Sequence, residues 1–122
     1  KDPETDAKDY GLGSFIDPSN GQARYIPLEI KLRKEDFPRY NEQITNASEL
    51  KSIQLRHKKG SLAMARSSKL NSASAQFYIA LKSLPELDGR YSVFGKIITG
   101  METVERIEKG DLIINAKLEE NK

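Results

Sequence analysis

Residues 72–81 read SASAQFYIAL, and this stretch decides the fold. From Ala75 onward it has the apolar and aromatic content of a strand, yet Gln76 lies inside the apolar run. Successive side chains of a strand point to opposite faces. One face therefore carries the expected core residues Ala75, Phe77, Ile79 and Leu81, and the other carries Gln76, Tyr78 and Ala80. The second face suits a groove for an extended peptide, although a half-exposed strand with one polar side would give the same pattern.

A further strand is predicted at Tyr25–Arg33, where apolar and polar residues alternate. The apolar positions share one face: Ile26, Leu28, Ile30 and Leu32. Pro27 has no N–H to donate to a neighbouring strand, so this strand is expected to lie at the edge of a sheet or to begin there.

The C-terminal half predicts additional strands at Gly60–Arg66, Ser92–Thr99 and, as a closing strand, Asp111–Leu118. Gly95 inside a strand indicates a bulge or a close backbone approach. Met101–Lys109 is a predicted helix with one apolar stripe, and Gly110 is placed to end it. The stripe consists of Met101, Val104 and Ile107.

The other segments connect these elements. Residues 1–24 are rich in Gly, Pro, Asn and Asp, which favour tight turns, so we expect an ordered surface loop there. Residues 34–57 predict a long excursion with one helical turn at Ser48–Ile53. The chain shows no internal repeat and no βαβ alternation, so the fold class is mainly β, a barrel or a sandwich.

Composition excludes several functional classes. The 122 residues carry 20 basic and 18 acidic side chains, a net charge of +2, which is too balanced for a nucleic-acid-binding face. The basic run Arg56–Lys59 is expected to be a solvated loop. The absence of cysteine excludes disulfides and thiolate metal sites, and no apolar run approaches the roughly 20 residues of a membrane span.

Most catalytic templates are also missing. His57 is the sole histidine, and no carboxylate beside it in the sequence would orient its ring. A histidine-based triad and a histidine metal site both need partners that this run does not supply. Gly11-Leu12-Gly13 lacks the third glycine and the preceding strand of a phosphate loop. No metal and no cofactor are predicted.

Three blocks of sequence, in this order and spacing, resemble the cyclophilins, the cyclosporin-type peptidyl-prolyl cis-trans isomerases. The blocks are GSLAMARS at residues 60–67, NSASAQFYI at 71–79 and LDGRYSVFGK at 87–96. Gly100-Met101 matches the start of the family's following helix, and Asp2-Pro3 resembles the end of an upstream segment. The resemblance implies a closed antiparallel β-barrel with flanking helices.

The resemblance also implies a function, the acceleration of rotation about X-Pro bonds to assist protein folding. Carried over by position, Gln76 and Tyr78 are the predicted catalytic residues. The predicted substrate-binding residues are Ala65, Arg66, Leu87 and Tyr91. Asp88-Gly89 is expected to form the turn that positions Leu87. The implied partners are proline-containing peptides or unfolded chains bound by a monomer.

Residues 11–18 and 24–30 are similar to a branch found in cyanobacteria, which favours an extracytoplasmic location such as the periplasm or the thylakoid lumen. Two departures from the family pattern bear on activity. Glu86 occupies the position where cyclosporin-sensitive relatives carry tryptophan, so cyclosporin binding is not expected. The family's catalytic arginine and first pocket phenylalanine belong to a strand that precedes Asp2-Pro3.

We therefore expect residues 1–122 to form a single domain that lacks the N-terminal strands of the barrel and is weak or inactive as an isomerase on its own. A non-catalytic peptide-binding or chaperone module that keeps the groove is the alternative. A small β domain without a groove is a third possibility, which the three matching blocks disfavour.

Overall fold

Short strands dominate the computed structural model, which describes residues 13–121. The expectations that fall on residues 1–12, including Asp2-Pro3 and the Gly11-Leu12 pair, lie outside the described part. The described strands are β1 (Phe15–Ile16), β2 (Ala23–Arg24), β3 (Glu29–Ile30), β4 (Arg39–Tyr40), β5 (Ser61–Met64), β6 (Phe77–Ile79) and β7 (Val93–Lys96). The helices are α1 (Ala47–Leu50), a 3₁₀ helix (Pro85–Leu87) and α2 (Met101–Val104). The predicted mainly β fold class is confirmed.

The turn-rich N-terminal segment forms a hairpin within its described part. Strands β1 and β2 pair antiparallel, with Phe15 opposite Arg24. Between them the carboxylate of Asp17 accepts hydrogen bonds from the hydroxyl and the backbone N–H of Ser19, which hold the pKa of Asp17 below its ordinary value. Ser74 ties the hairpin to the rest of the fold, because its hydroxyl accepts from Phe15 N–H at 2.8 Å and donates to Arg24 C=O. The expected ordered surface loop is therefore a braced hairpin.

The apolar core lies between strand β3 and the excursion that follows it. Its buried members are Leu28, Ile30, Leu32, Ile44 and Ile53. The predicted common face of the Tyr25–Arg33 stretch is thus right at its last three apolar positions. It is wrong at Ile26, which is 40% exposed. The stretch is also not one continuous strand: β3 is flanked by single bridges at Ile26 and Leu32, and Pro27, which cannot donate to a ladder, lies in the interruption.

Helix α1 supplies the predicted helical turn of the excursion. It begins after Asn46, whose side-chain oxygen accepts hydrogen bonds from the N–H groups of Ser48 and Glu49. This is the usual N-cap arrangement, in which a side chain satisfies N–H groups that the first turn leaves unpaired. The observed range, Ala47–Leu50, lies slightly earlier than the predicted one.

The three strands of the motif region form one antiparallel sheet in the order β6-β5-β7. Leu62 lies opposite Gly95 while Ala63 lies opposite Val93, so Phe94 is the extra residue of a bulge. The bulge expected at Gly95 is therefore confirmed. Phe94 is left 53% exposed, as an unpaired residue on a bent strand would be.

The predicted faces of β6 are partly inverted. Phe77 and Leu81 are 47% and 56% exposed, whereas Ala80 is 1% exposed. Strand β6 lies at the edge of its sheet, and within residues 13–121 the face that it shares with Leu62 and Met64 is left half open. We call this surface the open face, formed by Leu62, Met64, Phe77, Ile79 and Leu81. The opposite face of the sheet is buried and is lined by small residues at Ser61, Ala63 and Ala80.

Two C-terminal predictions need correction: the helix that begins at Met101 is confirmed but is shorter than predicted, and the closing strand is wrong. Helix α2 ends at Val104, because the next N–H groups, of Arg106 and Ile107, bond three residues back and not four. Ile107 is consequently 60% exposed. Asp111–Leu118 is no strand, since it pairs with no neighbouring strand in the described part of the chain. Within residues 13–121, none of the helices has the length and apolar character that a membrane span requires.

Candidate active site

The pairing of β5 with β6 brings predicted site residues to one end of the sheet. Ala63 lies opposite Tyr78, and beyond the strand ends the N–H of Ala65 donates to the carbonyl of Gln76 at 3.0 Å. Gln76 therefore lies beside the Ala65-Arg66 pair although it is distant from that pair in sequence.

These three residues line one open groove with a volume of about 610 Å³, which we call the Gln76 groove. Its other lining residues come from the hairpin entrance and the loop between β5 and β6: Gly13, Ser14, Tyr25, Ser67, Lys69, Asn71, Ser72, Ser74 and Ala75. Among residues 13–121, the lining includes the cations of Arg66 and Lys69 and no carboxylate. Tyr78, Leu87 and Tyr91 are not among the lining residues. The predicted site is thus divided between this groove and a second group of residues. That group consists of Leu87 and of the rings of Tyr78 and Tyr91, which we call the aromatic cluster.

Arg66 belongs to both parts. Its guanidinium donates to the carbonyl of Arg90 through Nε and Nη2, at 3.1 and 2.6 Å, and to the carbonyl of Ser67 through Nη1 at 2.9 Å. The same group lies 4.9 Å from the centre of the Tyr91 ring, a cation–π distance. Arg66 is therefore an anchored side chain that fixes the groove against the Tyr91 loop, and not a freely solvated cation.

Tyr78 lies at the centre of the aromatic cluster. Its ring meets Tyr91 edge to face, with 6.0 Å between the centroids, and lies nearly parallel to the His57 ring with 5.8 Å between the centroids. Burial raises the pKa of the Tyr78 hydroxyl to about 12, the neighbouring Tyr91 and Asp88 add to the increase, and Arg66 opposes it. The phenol is consequently neutral at physiological pH and is a poor nucleophile.

The basic run around His57 is not the solvated loop that the sequence predicts. Lys58 and Lys59 are exposed, but His57 is only 1% exposed. The ring is also oriented by a carboxylate, contrary to expectation: Asp88 Oδ1 lies 2.9 Å from Nδ1 and accepts the backbone N–H of His57 at 2.7 Å. The other ring nitrogen, Nε2, lies 2.7 Å from the Tyr78 hydroxyl. We call Asp88, His57 and Tyr78 the His57 network.

Leu87 is carried by the 3₁₀ helix that this network holds in place. The N–H of Leu84, which precedes the helix, donates to the carbonyl of His57 at 2.9 Å, and Asp88 follows the helix directly. Leu87 is half-buried, while Glu86 is exposed. Asp88-Gly89 thus forms the expected turn, but Asp88 has an additional role that the sequence did not indicate.

His57 and Asp88 were missed because they lie 31 residues apart. A lone histidine among lysines carries the pattern of a solvated loop, and an aspartate before glycine carries the pattern of a turn. No periodicity connects the two positions. The motif at residues 87–96 identified the turn, but only the fold shows that its carboxylate reaches the ring.

Comparison with known proteins gives the family. Residues 2–121 match the family described as cyclophilin type peptidyl-prolyl cis-trans isomerase/CLD. The chain therefore belongs to the cyclophilin-type peptidyl-prolyl cis-trans isomerase family.

Individual relatives agree with this assignment. A Synechocystis protein named as a thylakoid lumen peptidyl-prolyl cis-trans isomerase is 36% identical over 114 residues, which cover 85% of this chain and 30% of that protein. A peptidyl-prolyl cis-trans isomerase of Helicobacter pylori is 38% identical over 60 residues, or 48% of this chain and 36% of that protein. One of Arabidopsis thaliana is 40% identical over 55 residues, or 45% of this chain and 24% of that protein. The chain thus spans about a third or less of the length of each relative.

Proposed function

We propose that the protein accelerates cis-trans isomerisation of X-Pro bonds in proline-containing peptides and unfolded chains. Membership of the cyclophilin-type family supports this proposal. The observation that carries it is the β5–β6 pairing, which sets Ala65, Arg66 and Gln76 along one open groove beside the ring cluster of Tyr78 and Tyr91.

The chemistry demanded of such a site is modest. Rotation about a peptide bond has a barrier of roughly 18–20 kcal/mol, because resonance keeps the amide planar. A catalyst needs no covalent intermediate if it binds the twisted amide more tightly than either planar isomer. The neutral, poorly nucleophilic phenol of Tyr78 is compatible with this requirement, since its ring supplies apolar surface.

Each predicted residue has a role in the proposal. The Gln76 amide hydrogen-bonds the substrate backbone, and the backbone groups of Ala65 and Arg66 contact the residue before proline. An extended peptide lying in the Gln76 groove would then direct its proline ring towards the adjacent aromatic cluster.

Three further residues complete the proline pocket. Tyr78 and Leu87 form its walls, and Tyr91 stands at its mouth, where the edge-to-face contact with Tyr78 and the Arg66 guanidinium restrict its ring. The half-buried position of Leu87 next to Asp88 is consistent with this arrangement.

We also propose an extracytoplasmic location, the periplasm or the thylakoid lumen, which the name of the Synechocystis relative supports. Residues 1–122 would act as a monomeric single domain on peptide partners and not on nucleic acid. Fractionation of the source cells with an antibody against the chain would test the location, and a purely cytosolic signal would contradict it.

Magnetisation exchange between the cis and trans signals of a short X-Pro peptide tests the activity. We compare the 122-residue chain with a longer form that carries the family's arginine strand ahead of residue 1. The longer form should accelerate exchange, and the shorter one should do so weakly or not at all. A longer form that binds the peptide without accelerating exchange would overturn the proposed activity, while full acceleration by the shorter form would contradict the need for the arginine strand.

A further inference from the structure

His57 is the histidine that sequence reasoning set aside, and it lies at the junction of the predicted pocket walls. Both of its backbone groups and both of its ring nitrogens are engaged. On one side they hold the turn around Leu87, through Leu84 and Asp88. On the other side the ring holds the phenol of Tyr78. The side chain of His57 is 1% exposed and each of its polar atoms is hydrogen-bonded, so it holds the Leu87 turn and the Tyr78 ring in a fixed relative position.

The geometry also fixes which atoms carry the protons. An ionised carboxylate can only accept hydrogen bonds, and Asp88 Oδ1 already accepts the His57 backbone N–H. The ring nitrogen that faces it, Nδ1, must therefore carry a proton. In the neutral imidazole Nε2 is then an acceptor, so the hydroxyl of Tyr78 donates to it across 2.7 Å.

We propose that His57, oriented by Asp88, is a positioning residue of the isomerase site. It fixes the ring of Tyr78 and the turn of Leu87 relative to each other, and its Nε2 accepts the one hydrogen bond that the Tyr78 hydroxyl can donate. The role of these contacts in isomerisation rests on the proposed function, but the contacts themselves do not. The inference assigns the contact with proline to the face of the Tyr78 ring, because the hydroxyl is already committed as a donor. The amide donor to the substrate must then come from elsewhere, such as Gln76.

The charged and titratable groups around the His57 network are consistent with a proton on Nδ1 and an acceptor at Nε2. Asp88 faces Nδ1, while Tyr78 faces Nε2 and is itself flanked by Tyr91 and Arg66. The neighbouring guanidinium of Arg56 donates to the carbonyl of Leu50. The Asp–His–Tyr order resembles a nucleophilic triad, but the raised pKa of Tyr78 argues against an activated phenolate.

The tautomer can be observed directly, because the chain has a single histidine and its imidazole signals need no assignment. Long-range ¹H–¹⁵N correlation on the neutral ring should show the proton on Nδ1. Tyr78→Phe should shift the Nε2 resonance, whereas Tyr91→Phe, which removes a phenol that does not bond His57, should leave it in place. A proton on Nε2, or an Nε2 signal indifferent to Tyr78→Phe, would overturn the proton assignment.

Peptide affinity tests the positioning role independently of catalysis. A glutamine amide reaches about as far as Nε2 and an asparagine amide about as far as Nδ1. His57→Gln can therefore keep the bond to Tyr78, while His57→Asn keeps only the bond to Asp88. We expect His57→Asn to raise the Kd for an X-Pro peptide by about two- to tenfold, which corresponds to the loss of one hydrogen bond. His57→Gln should raise the Kd less.

Tyr40→Phe is the matched control, since Tyr40 is an exposed phenol on β4, away from the groove, and should change nothing. If the His57 variants do not fold, Tyr78→Phe measures the same loss from the other partner. Equal affinity in folded wild type, His57→Asn and Tyr78→Phe would refute the positioning role. An intact protein that binds peptide and shows these losses but does not isomerise it would keep the inference and reject the proposed activity.

Discussion

The core cluster and the β6-β5-β7 sheet share one sequence pattern but differ in burial. Leu28, Ile30 and Leu32 alternate with polar residues and are buried, because Ile44 and Ile53 from the following excursion cover them. Phe77, Ile79 and Leu81 alternate equally well, yet they belong to the half-open face of the sheet. Alternation therefore predicts which side chains share a face, but the covering of that face is decided elsewhere in the chain.

The covered side of the sheet differs from the core in chemistry. There the strands present small residues, Ala63 and Ala80, and the space is taken by the His57 network. The core cluster is apolar and serves stability, whereas the sheet buries a polar network beside the predicted pocket. Most buried polar groups in folded proteins have a hydrogen-bond partner, and both ring nitrogens of His57 have one.

The largest expected effect is a difference in the free energy of unfolding between a core-cluster variant and a variant near the sheet. Ile53→Ala, at a residue 2% exposed, should lower the free energy of unfolding by about 2–5 kcal/mol through lost burial and a residual cavity. Ile98→Ala, at a residue 89% exposed near the end of β7, should change it by less than about 0.5 kcal/mol. Urea unfolding of both variants measures the difference. Equal losses would mean that the two regions are not distinguished by burial.

A smaller effect is expected where the regions meet. A Cβ on Gly89 would clash with the backbone carbonyl oxygen of Ile44, and the backbone of Gly89 has φ +81°. Gly89→Ala should therefore cost about 2–4 kcal/mol, from left-handed strain plus the clash. Gly21 has φ +68°, and a Cβ there would meet no atom of residues 13–121 within 4 Å, so Gly21→Ala isolates the strain alone. If both variants lose equal stability in urea, the contact with Ile44 contributes nothing.

The smallest expected effect is a pH dependence of stability that arises from Tyr78, on the polar side of the sheet. The pKa of Tyr78 is raised to about 12 in the folded state, against 10.0 for a solvent-exposed tyrosine. The folded state thus holds this proton longer than the unfolded state, so the stability contribution is complete below pH 10 and is lost between pH 10 and about 12.

Alkaline titration by tyrosine absorbance should accordingly show a late ionisation that Tyr78→Phe removes and Tyr40→Phe does not. The decline in stability above pH 10 should be shallower in Tyr78→Phe. A late ionisation that survives in Tyr78→Phe would contradict the burial of this phenol.

The sequence predicted local features well. The strands around residues 60–66, 75–81 and 92–99, the bulge at Gly95 and the helical turn near Ser48 all follow from short-range pattern and punctuation. The sequence failed where a partner decides the outcome. Asp111–Leu118 has the composition of a strand but no ladder partner among residues 13–121, and the ring of His57 is oriented by a carboxylate 31 residues away. The joint role of Gln76 and Tyr78 remains a prediction.

The most direct test of the account asks which face of the sheet an X-Pro peptide contacts. Amide and side-chain NMR shifts should be followed while a short proline peptide is added to the ¹⁵N- and ¹³C-labelled chain. We expect shifts that saturate together at Ala65, Arg66 and Gln76 and at the rings of Tyr78 and Tyr91, with a change in the His57 ring signals. Saturating shifts confined to the open face, at Phe77 and Leu81, with the Gln76 groove unchanged, would contradict it.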